Sequence, residues 1–444
     1  MSDTPAQTVP FVRDTMLPPA PPPASQAGAL RWLRENLLSG PLNIALTLLG
    51  IGAVWYLLQG IVPWLAHSVW SADNLTQCRQ IITDRWGEGA TGACWAVIRE
   101  RWTQFLFGFY PQHLYWRPTL AFALLFVALA PVLFARVPKK LLWFSVAYPF
   151  VAFWLLWGGS LFLPLTVAAG FGLGWAAFAL LHRFGTIPAV AAAVLLPVLW
   201  WLLFAGDLSR DLTGLVGREV PFWLEQVRSD KFGGFVLAIT IGVAGIALSL
   251  PLGIMLALGR QSDMFLIKTL AVSFIEFIRG VPLITLLFTA SLLLNYFLPP
   301  GTTFDIILRV IIMVTLFAAA YIAEVIRGGL AALPRGQYEA ADALGLDYWK
   351  AQRLIILPQA LKISIPGIVS TFIGMFKDTT LVVFVGLLDP LKGITDAVRA
   401  STDWKGIYWE PYIFVGAIFF IFNFAMSRYS MHLERRLKTD HRQE

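Results

Sequence analysis

Two opposite charges lie next to each other inside an apolar stretch in the last quarter of the chain. Lys377 and Asp378 are followed by Thr379 and Thr380, and the flanking residues are mostly hydrophobic. An isolated aspartate within a membrane span costs about 2.5–3.5 kcal/mol, so Asp378 must face a partner or an aqueous cavity. Lys377 and Asp378 could meet the carboxylate and ammonium groups of a zwitterion, and all four residues are candidates for a substrate pathway. Adjacent helical residues point about 100° apart, however, and a structural pairing of Asp378 with another helix explains the pattern equally well.

Two pairs of residues, each with one acidic and one basic member, are spaced so that they can form ion pairs along a helix. Glu276 and Arg279 lie three residues apart at the entry to an apolar stretch, and Glu324 and Arg327 repeat this spacing. Residues three apart share one helical face, which allows a local ion pair. The alternative is that Glu276 and Arg279 line the cytoplasmic mouth of a substrate pathway.

Motifs for catalysis, nucleotide binding and metal binding are missing from this sequence. It contains no G-x-x-x-x-G-K-[ST] phosphate loop, no H-E-x-x-H and no G-x-S-x-G. The five histidines are dispersed, and two cysteines alone do not make a zinc site. We therefore expect no catalytic residue, no metal site and no cofactor in this chain. Any ATP and magnesium would have to bind to a partner.

The composition is that of a membrane protein. Hydrophobic residues make up 57% of the 444 residues and charged residues 14%, and apolar stretches of about 20 residues recur along the chain. A soluble chain of this length would rarely be so apolar, so we predict an all-α polytopic membrane protein. The ten predicted spans lie at about 42–63, 118–135, 141–160, 164–181, 187–205, 232–258, 281–298, 306–330, 364–387 and 409–430.

Basic residues at the ends of the apolar stretches predict the topology. Arg31 and Arg34 precede the first span, and Arg435 and Arg436 follow the last one. Because Lys and Arg favour the cytoplasmic side, we expect both termini in the cytoplasm and the loop 64–117 outside. The net charge of +7 is explained in this way, and we expect no nucleic acid as a partner.

The polar segments outside the spans carry few signals of their own. Residues 1–40 are proline-rich and predict a disordered cytoplasmic tail, and residues 433–444 form a second tail. Cys78 and Cys94 both lie in the loop 64–117, where they can form a disulfide if that loop is outside. The alternative is two free thiols.

A charged and helix-prone segment, residues 337–358, separates two of the long apolar stretches. Gly345 stands where a left-handed helix end is expected, Asp347 can cap a second helix over 348–356, and Pro358 is predicted to end that helix. The pattern indicates two short helices that meet at a glycine elbow. Small side chains would leave a flat surface for a partner protein at Ala340, Ala341 and Ala343.

This segment resembles the EAA loop in the membrane subunits of ATP-binding-cassette (ABC) importers. The resemblance is carried by Glu339, Ala340, Ala341, Gly345, Ile356, Leu357 and Pro358. Four stretches resemble the polar amino-acid branch of that family, namely YIAEVIRGGL (321–330), GQYEAADALG (336–345), LPQAL (357–361) and FKDTTL (376–381). EFIRGVPL (276–283) resembles the segment that those subunits carry upstream. Thr380, where the family often has serine, and Val281, where threonine is common, are mild departures. The apolar extension before residue 232 further resembles the larger permease of general L-amino-acid importers of the Aap and Bzt type.

The resemblance implies a permease subunit of an amino-acid importer in a bacterial inner membrane. Residues 232–432 would form a five-helix type I permease core, preceded by an extension at 41–231. The EAA loop would couple to two ATPase subunits through Glu339, Ala340, Ala341, Gly345, Leu357 and Pro358. A second permease subunit would complete a heterodimer. A periplasmic amino-acid-binding protein would deliver substrate to the outer loops 298–305 and 388–408.

Two other functional classes are weaker alternatives. A secondary transporter driven by an ion gradient would need an inverted repeat and more buried ionisable residues than this sequence offers. A membrane-embedded enzyme would need a catalytic motif.

Overall fold

The computed structural model is almost entirely helical. It describes residues 28–134, 136–216, 223–297 and 305–438. Most of the predicted N-terminal tail, most of the loop 298–305 and the end of the C-terminal tail lie outside the described residues. The α-helices of the described part are α1 Ala29–Asn36, α2 Pro41–Ala66, α3 Leu75–Trp86, α4 Ala96–Phe107, α5 Trp116–Leu133, α6 Leu142–Trp157, α7 Phe162–Leu181, α8 Thr186–Leu203, α9 Ala205–Val216, α10 Gly234–Gln261, α11 Phe265–Gly280, α12 Leu283–Phe297, α13 Ile306–Ala331, α14 Arg335–Ala343, α15 Tyr348–Ala351, α16 Leu357–Asp378, α17 Gly393–Arg399 and α18 Trp409–Lys438.

Short non-α segments connect several of these helices. Two strands, β1 Gly159–Ser160 and β2 Trp223–Leu224, pair in antiparallel fashion between α6 and α10. A π-helical turn, Gln352–Ile356, lies between α15 and α16. The 3₁₀ turns are Gln112–Leu114, Lys139–Leu141, His182–Phe184, Ser229–Lys231 and Thr379–Val385.

Among the described residues, eight helices are long and apolar enough to cross a membrane, and ten spans result if each of two bent helix pairs counts as one. This confirms the predicted fold class. The first bent pair, α8 and α9, turns by 50°. The second, α11 and α12, turns by 102°, so the predicted span 281–298 is one arm of a sharp bend. Pro282 causes a break there because it has no backbone N–H and disfavours helix in the residue before it.

The described chain divides into two compact units. The first runs up to Val69 and includes Arg79–Ala93, and the second contains Trp70–Cys78 and the chain from Cys94 onward. In the first unit, Ala93 joins the end of α2: its N–H donates to the Trp64 carbonyl and its carbonyl accepts from the Val69 N–H, both at 2.8 Å.

The second unit has two apolar cores along α10, α13 and α16. One core contains Leu237, Ile241 and Ile307, each fully buried. The other lies next to segment 332–356 and includes Ile326 and Ile356, also fully buried. Complete burial of an aliphatic side chain contributes about 1.5–3 kcal/mol, so these residues stabilise the packing of the three helices.

Candidate functional site

The segment predicted to meet a partner protein folds as two short helices around a left-handed glycine. At the end of α14, the Gly345 N–H donates to the Asp342 carbonyl at 2.9 Å and the Leu346 N–H donates to the Ala341 carbonyl at 3.2 Å. This is the Schellman arrangement, which needs a left-handed residue at its turn. Gly345 supplies it with φ +67°, as predicted.

Asp347 begins the second helix as predicted, but Pro358 does not end it. The Asp347 side chain accepts the Lys350 N–H at 3.0 Å, and this hydrogen bond holds the pKa of Asp347 below its usual range. The prediction for Pro358 is wrong, because the helical path continues from Tyr348 to Val385. Pro358 stands in the first turn of α16, immediately after the π-helical turn. Proline lacks a backbone N–H, and the widened turn before Pro358 tolerates the hydrogen bond that is therefore missing.

The side chains of α14 divide between an exposed and a buried face. Glu339, Ala340 and Ala343 are exposed. Among the described residues, none forms a hydrogen bond or ion pair with the Glu339 carboxylate. Ala341 is only 1% exposed, so it packs under the loop and does not contribute to the flat surface predicted for it. We refer to residues 335–354 as the coupling segment.

Large apolar side chains also project from the coupling segment, and the sequence analysis missed them. Leu344 is 72% exposed and Trp349 is 67% exposed, and Tyr348 and Leu354 are exposed as well. Large apolar groups exposed together are typical of a surface that meets lipid or another protein. The available signal was the presence of bulky residues such as Trp349 within a charged segment.

A cavity of about 330 Å³ opens beside the coupling segment. Buried Gln352 lines it, and its Oε1 atom has no hydrogen-bond partner among the described residues. Burial raises the pKa of Tyr338, so its hydroxyl stays protonated at neutral pH. The lining residues are Gln261, Tyr338, Ala341, Asp342, Tyr348, Ala351, Gln352 and Ile356, none of them basic.

Three arginines surround one glutamate where the ends of α10 and α11 meet α13. Glu324, whose side chain is 19% exposed, pairs with Arg327 on its own helix. The Glu324 Oε2 atom lies 3.2 Å from Arg260 Nη1 and 3.5 Å from Arg279 Nη1. Arg260 also donates to the Glu276 carboxylate at 2.7 Å. We refer to these five residues as the charge cluster. Its ion pairs link α10, α11 and α13.

The predicted local pair between Glu276 and Arg279 is wrong. Glu276 pairs with Arg260, and the Arg279 guanidinium lies 5.6 Å above the ring of Tyr321 as well as near Glu324. Helix packing brings stronger partners to both residues than their own helix offers. Sequence reasoning did not predict Arg260, at the end of α10, as the partner of Glu276.

Lys377, Asp378, Thr379 and Thr380 lie where α16 changes into a 3₁₀ turn. Thr379 is fully buried and its hydroxyl donates to the Phe376 carbonyl at 2.7 Å, and the Thr380 hydroxyl donates to the Lys377 carbonyl at 2.9 Å. Asp378 is half-buried and Lys377 is exposed. Within the described residues, neither charged side chain forms a hydrogen bond or ion pair, so the pairing of Asp378 with another helix is not found there.

The opposite end of the second unit carries a rigid loop between α16 and α18. Asp389 is fully buried and accepts the N–H groups of Leu391, Lys392 and Gly393 at 2.8–3.1 Å. Burial nevertheless raises the pKa of Asp389. Because its carboxylate is used to fold the loop, Asp389 cannot contact a docking protein.

The two cysteines are joined by a disulfide bond. The Cα atoms of Cys78 and Cys94 lie 6.3 Å apart, within the range that the bond requires.

Comparisons with known proteins identify the family. A family model for the inner-membrane component of binding-protein-dependent transport systems matches residues 249–439, in the C-terminal half. The chain is 65% identical to the glutamate/glutamine/aspartate/asparagine transport system permease protein BztC of Rhodobacter capsulatus, over 100% of both chains. It is 38% identical to the inner membrane amino-acid ABC transporter permease protein YhdY of Escherichia coli K12, over 95% of this chain and 96% of YhdY.

A solved structure described as an amino acid ABC transporter with histidines shares 31% identity, covers 45% of this chain and 91% of its own, and gives a TM-score of 0.41. Dependence on a binding protein and on ATP implies ATPase subunits and a binding protein as partners, and permeases of this family bind no cofactor themselves. The chain belongs to the polar amino-acid ABC transporter permeases and is a multi-pass inner-membrane subunit of an amino-acid importer, a transport component and not an ATPase.

Proposed function

We propose that the coupling segment is the surface gripped by an ATPase subunit, and that its movement is passed to α13 and α16. The observation that carries the proposal is the exposed coupling segment, which joins these two helices directly. Only Ala332, Leu333 and Pro334 separate α13 from α14, and the helical path from Tyr348 runs into α16. A force on the coupling segment therefore reaches both helices through short connections.

Close packing of α13 against α16 supports movement of the two helices as one body. The Ser364 hydroxyl donates to the Val325 carbonyl at 3.3 Å. Gly367 faces Val325 so closely that a Cβ there would lie 2.6 Å from Val325 Cγ1. Tightly packed interfaces shift as discrete units and do not deform continuously. Closure of two ATPase subunits would thus become alternating access of the pathway.

Cysteine crosslinking tests the grip. Ala340→Cys and Ala343→Cys present thiols on the exposed face of α14, and Ala341→Cys is the matched control because Ala341 is buried. In the assembled importer we expect the first two variants to crosslink to the ATPase and the control to remain uncrosslinked. Failure of both exposed positions to crosslink during active uptake would contradict the proposal.

The substrate class is proposed from the relative BztC and from the charges near the end of α16. BztC is named for glutamate, glutamine, aspartate and asparagine, and its 65% identity over the whole chain supports the same substrates here. Lys377 and Asp378 have opposite charges and no partner among the described residues, which supports a position on the pathway. The backbone bonds of Thr379 and Thr380 would hold the helix end in shape.

Glutamate uptake by Asp378→Asn tests the pathway assignment, with ATPase activity measured in parallel. Loss of a charged hydrogen bond in the pathway predicts a fall in uptake of about tenfold or more. Asp207→Asn, an exposed carboxylate on α9, is the matched control and should transport normally. Unchanged uptake by Asp378→Asn would exclude a direct substrate contact.

The remaining partners and the topology also belong to the proposal. We expect a second, sister permease subunit, two ATPase subunits, and a periplasmic binding protein that docks on the loop 388–408. Large apolar side chains on α11, among them Phe265 and Phe277, are exposed and suit lipid or the second permease. Both termini would be cytoplasmic, with residues 41–231 as an extension before a core at 232–432.

A further inference from the structure

The segment before the second span is fastened to the loop between α17 and α18. We refer to residues 70–78 and 94–107 as the cap and to residues 400–408 as the outer loop. Trp404 of the outer loop is fully buried, and its indole N–H donates to Glu100 Oε2 at 2.9 Å. The Leu75 N–H donates to the Asp403 carbonyl at 2.8 Å, and the Asp403 carboxylate lies 3.5 Å from Arg101.

A second group of contacts fastens the cap to the start of α18. The Cys94 N–H donates to Glu410 Oε1 at 2.7 Å, and both residues are buried. The rings of Phe105 and Phe414 contact each other with centroids 5.5 Å apart. The disulfide of Cys94 with Cys78 ties the two pieces of the cap together. Buried hydrogen bonds at several separate points hold the cap rigidly against the outer loop.

Contacts within the loop between α16 and α18 engage several of its polar side chains, which are then not free to meet another protein. Asp389 is buried, and Asp396 is paired with Lys392 at 2.7 Å and with Arg399 at 3.5 Å. The polar side chains that remain exposed on the outer loop include Thr402 and Lys405.

Exposed polar side chains of the cap continue this surface. Asp73 and Thr76 are exposed and flank Leu75, whose backbone N–H is bonded to the outer loop. A protein that reaches the outer loop therefore meets the cap beside it.

We infer that the cap and the outer loop form one docking surface for the periplasmic amino-acid-binding protein. The inference rests on the proposed function, because it takes the loop 388–408 as the face that this protein approaches. The shared surface exposes charges of both signs, as Asp73, Asp403 and Lys405 show. It also exposes aromatic side chains, namely Trp70, Trp102 and Tyr408. Exposed aromatic residues beside charged ones fit a transient protein interface better than lipid tails. The extension thereby gains a role in recognition.

Photo-crosslinking at two positions tests the inference and keeps it separate from the proposed function. The crosslinking amino acid benzoylphenylalanine is introduced at Thr76 of the cap, at Lys405 of the outer loop and, as a control, at exposed Arg183 after α7. The complete importer is reconstituted in lipid nanodiscs and mixed with its own binding protein loaded with glutamate. We expect crosslinks to the binding protein from Thr76 and Lys405 and none from Arg183.

The other outcomes are decisive. Crosslinking from Lys405 alone overturns the role of the cap and leaves docking on the outer loop intact. Crosslinking from neither position, during active uptake, contradicts the proposed docking face as well. A crosslink from Thr76 to lipid only, or to the second permease only, also overturns the inference.

Trp404→Phe tests the attachment of the cap while one aromatic ring stays in the buried site. The variant loses the second ring of the indole and the N–H that donates to Glu100. Loss of one charged hydrogen bond predicts about a tenfold weaker Kd for the loaded binding protein if the cap belongs to the docking surface. Glu410→Gln is a second variant, because an amide oxygen can still accept the Cys94 N–H, and its Kd should change less. An unchanged Kd for Trp404→Phe would overturn the inference.

Discussion

Gly329 of α13 lies directly against Ser364 of α16. A Cβ atom at position 329 would collide with Ser364 Oγ and would lie 2.6 Å from the Ala360 carbonyl oxygen. Gly329→Ala must therefore push the two helices apart at the point where they leave the coupling segment. Overpacking of this kind costs about 1–3 kcal/mol, so we expect a lower thermal midpoint and weak coupling of ATP hydrolysis to uptake.

The neighbouring Gly328 provides the control for this variant. It is exposed, and a Cβ there would meet nothing within 4 Å. Gly328→Ala should gain up to about 1 kcal/mol of helix propensity and transport normally. Equal losses of uptake in Gly328→Ala and Gly329→Ala would show that uptake depends on glycine at both positions and not on the contact of Gly329 with α16.

Replacement of Gly345 by alanine tests the elbow of the coupling segment. Space is not the constraint there, since an added Cβ would meet nothing within 4 Å, but the backbone is left-handed at φ +67°. The left-handed conformation costs a non-glycine residue about 1–2 kcal/mol, so Gly345→Ala should lower both stability and uptake. Gly336→Ala, in α14 with equally open space, should be neutral or stabilising. The thermal midpoint in detergent, followed by glutamate uptake, measures both effects; normal values for Gly345→Ala would contradict this account.

Gln352→Leu separates stability from coupling. The buried Oε1 of Gln352 has no partner among the described residues, and an unsatisfied buried polar atom costs about 1–3 kcal/mol. The leucine variant of the isolated subunit should therefore be at least as stable as the natural chain. If an ATPase side chain supplies the missing donor in the complex, the same variant should hydrolyse ATP with poorer coupling to uptake.

The control for this prediction keeps the amide chemistry of the site. Gln352→Asn should lose some coupling through its shorter reach without the gain in stability. A leucine variant that couples normally would show that the ATPase does not use this amide.

Local rules predicted the parts of the site that depend on a few neighbouring residues. The left-handed Gly345 and the Asp347 cap follow from the chain within four residues of each, and both predictions are confirmed. The polytopic helical fold follows from apolar length alone. Pro358 was misjudged because a π-helical turn, which no propensity signals, carries the helix past it.

Contacts between distant segments could not be predicted from the sequence. Trp404 and Glu100 are separated by 304 residues, and no spacing rule links them. The same holds for Arg260 and Glu276, which meet only because α10 and α11 pack side by side. The i,i+3 rule succeeded for Glu324 and Arg327 and failed for Glu276 and Arg279, because other helices supplied better partners.

The charge cluster gives a prediction based on burial. Glu324 faces three arginines with a side chain that is 19% exposed, whereas Glu276 is 53% exposed and faces Arg260. Glu324→Gln removes the counter-charge that Arg279 and Arg327 share, which should cost about 1–3 kcal/mol. Glu276→Gln should cost less, because its pair with Arg260 is more exposed to solvent. Thermal unfolding of the purified subunit in low and high salt measures the difference. Added salt should reduce the smaller effect more than the larger one, because exposed pairs are screened more strongly, and equal costs for the two variants would refute the assignment of Glu324 as the centre of the cluster.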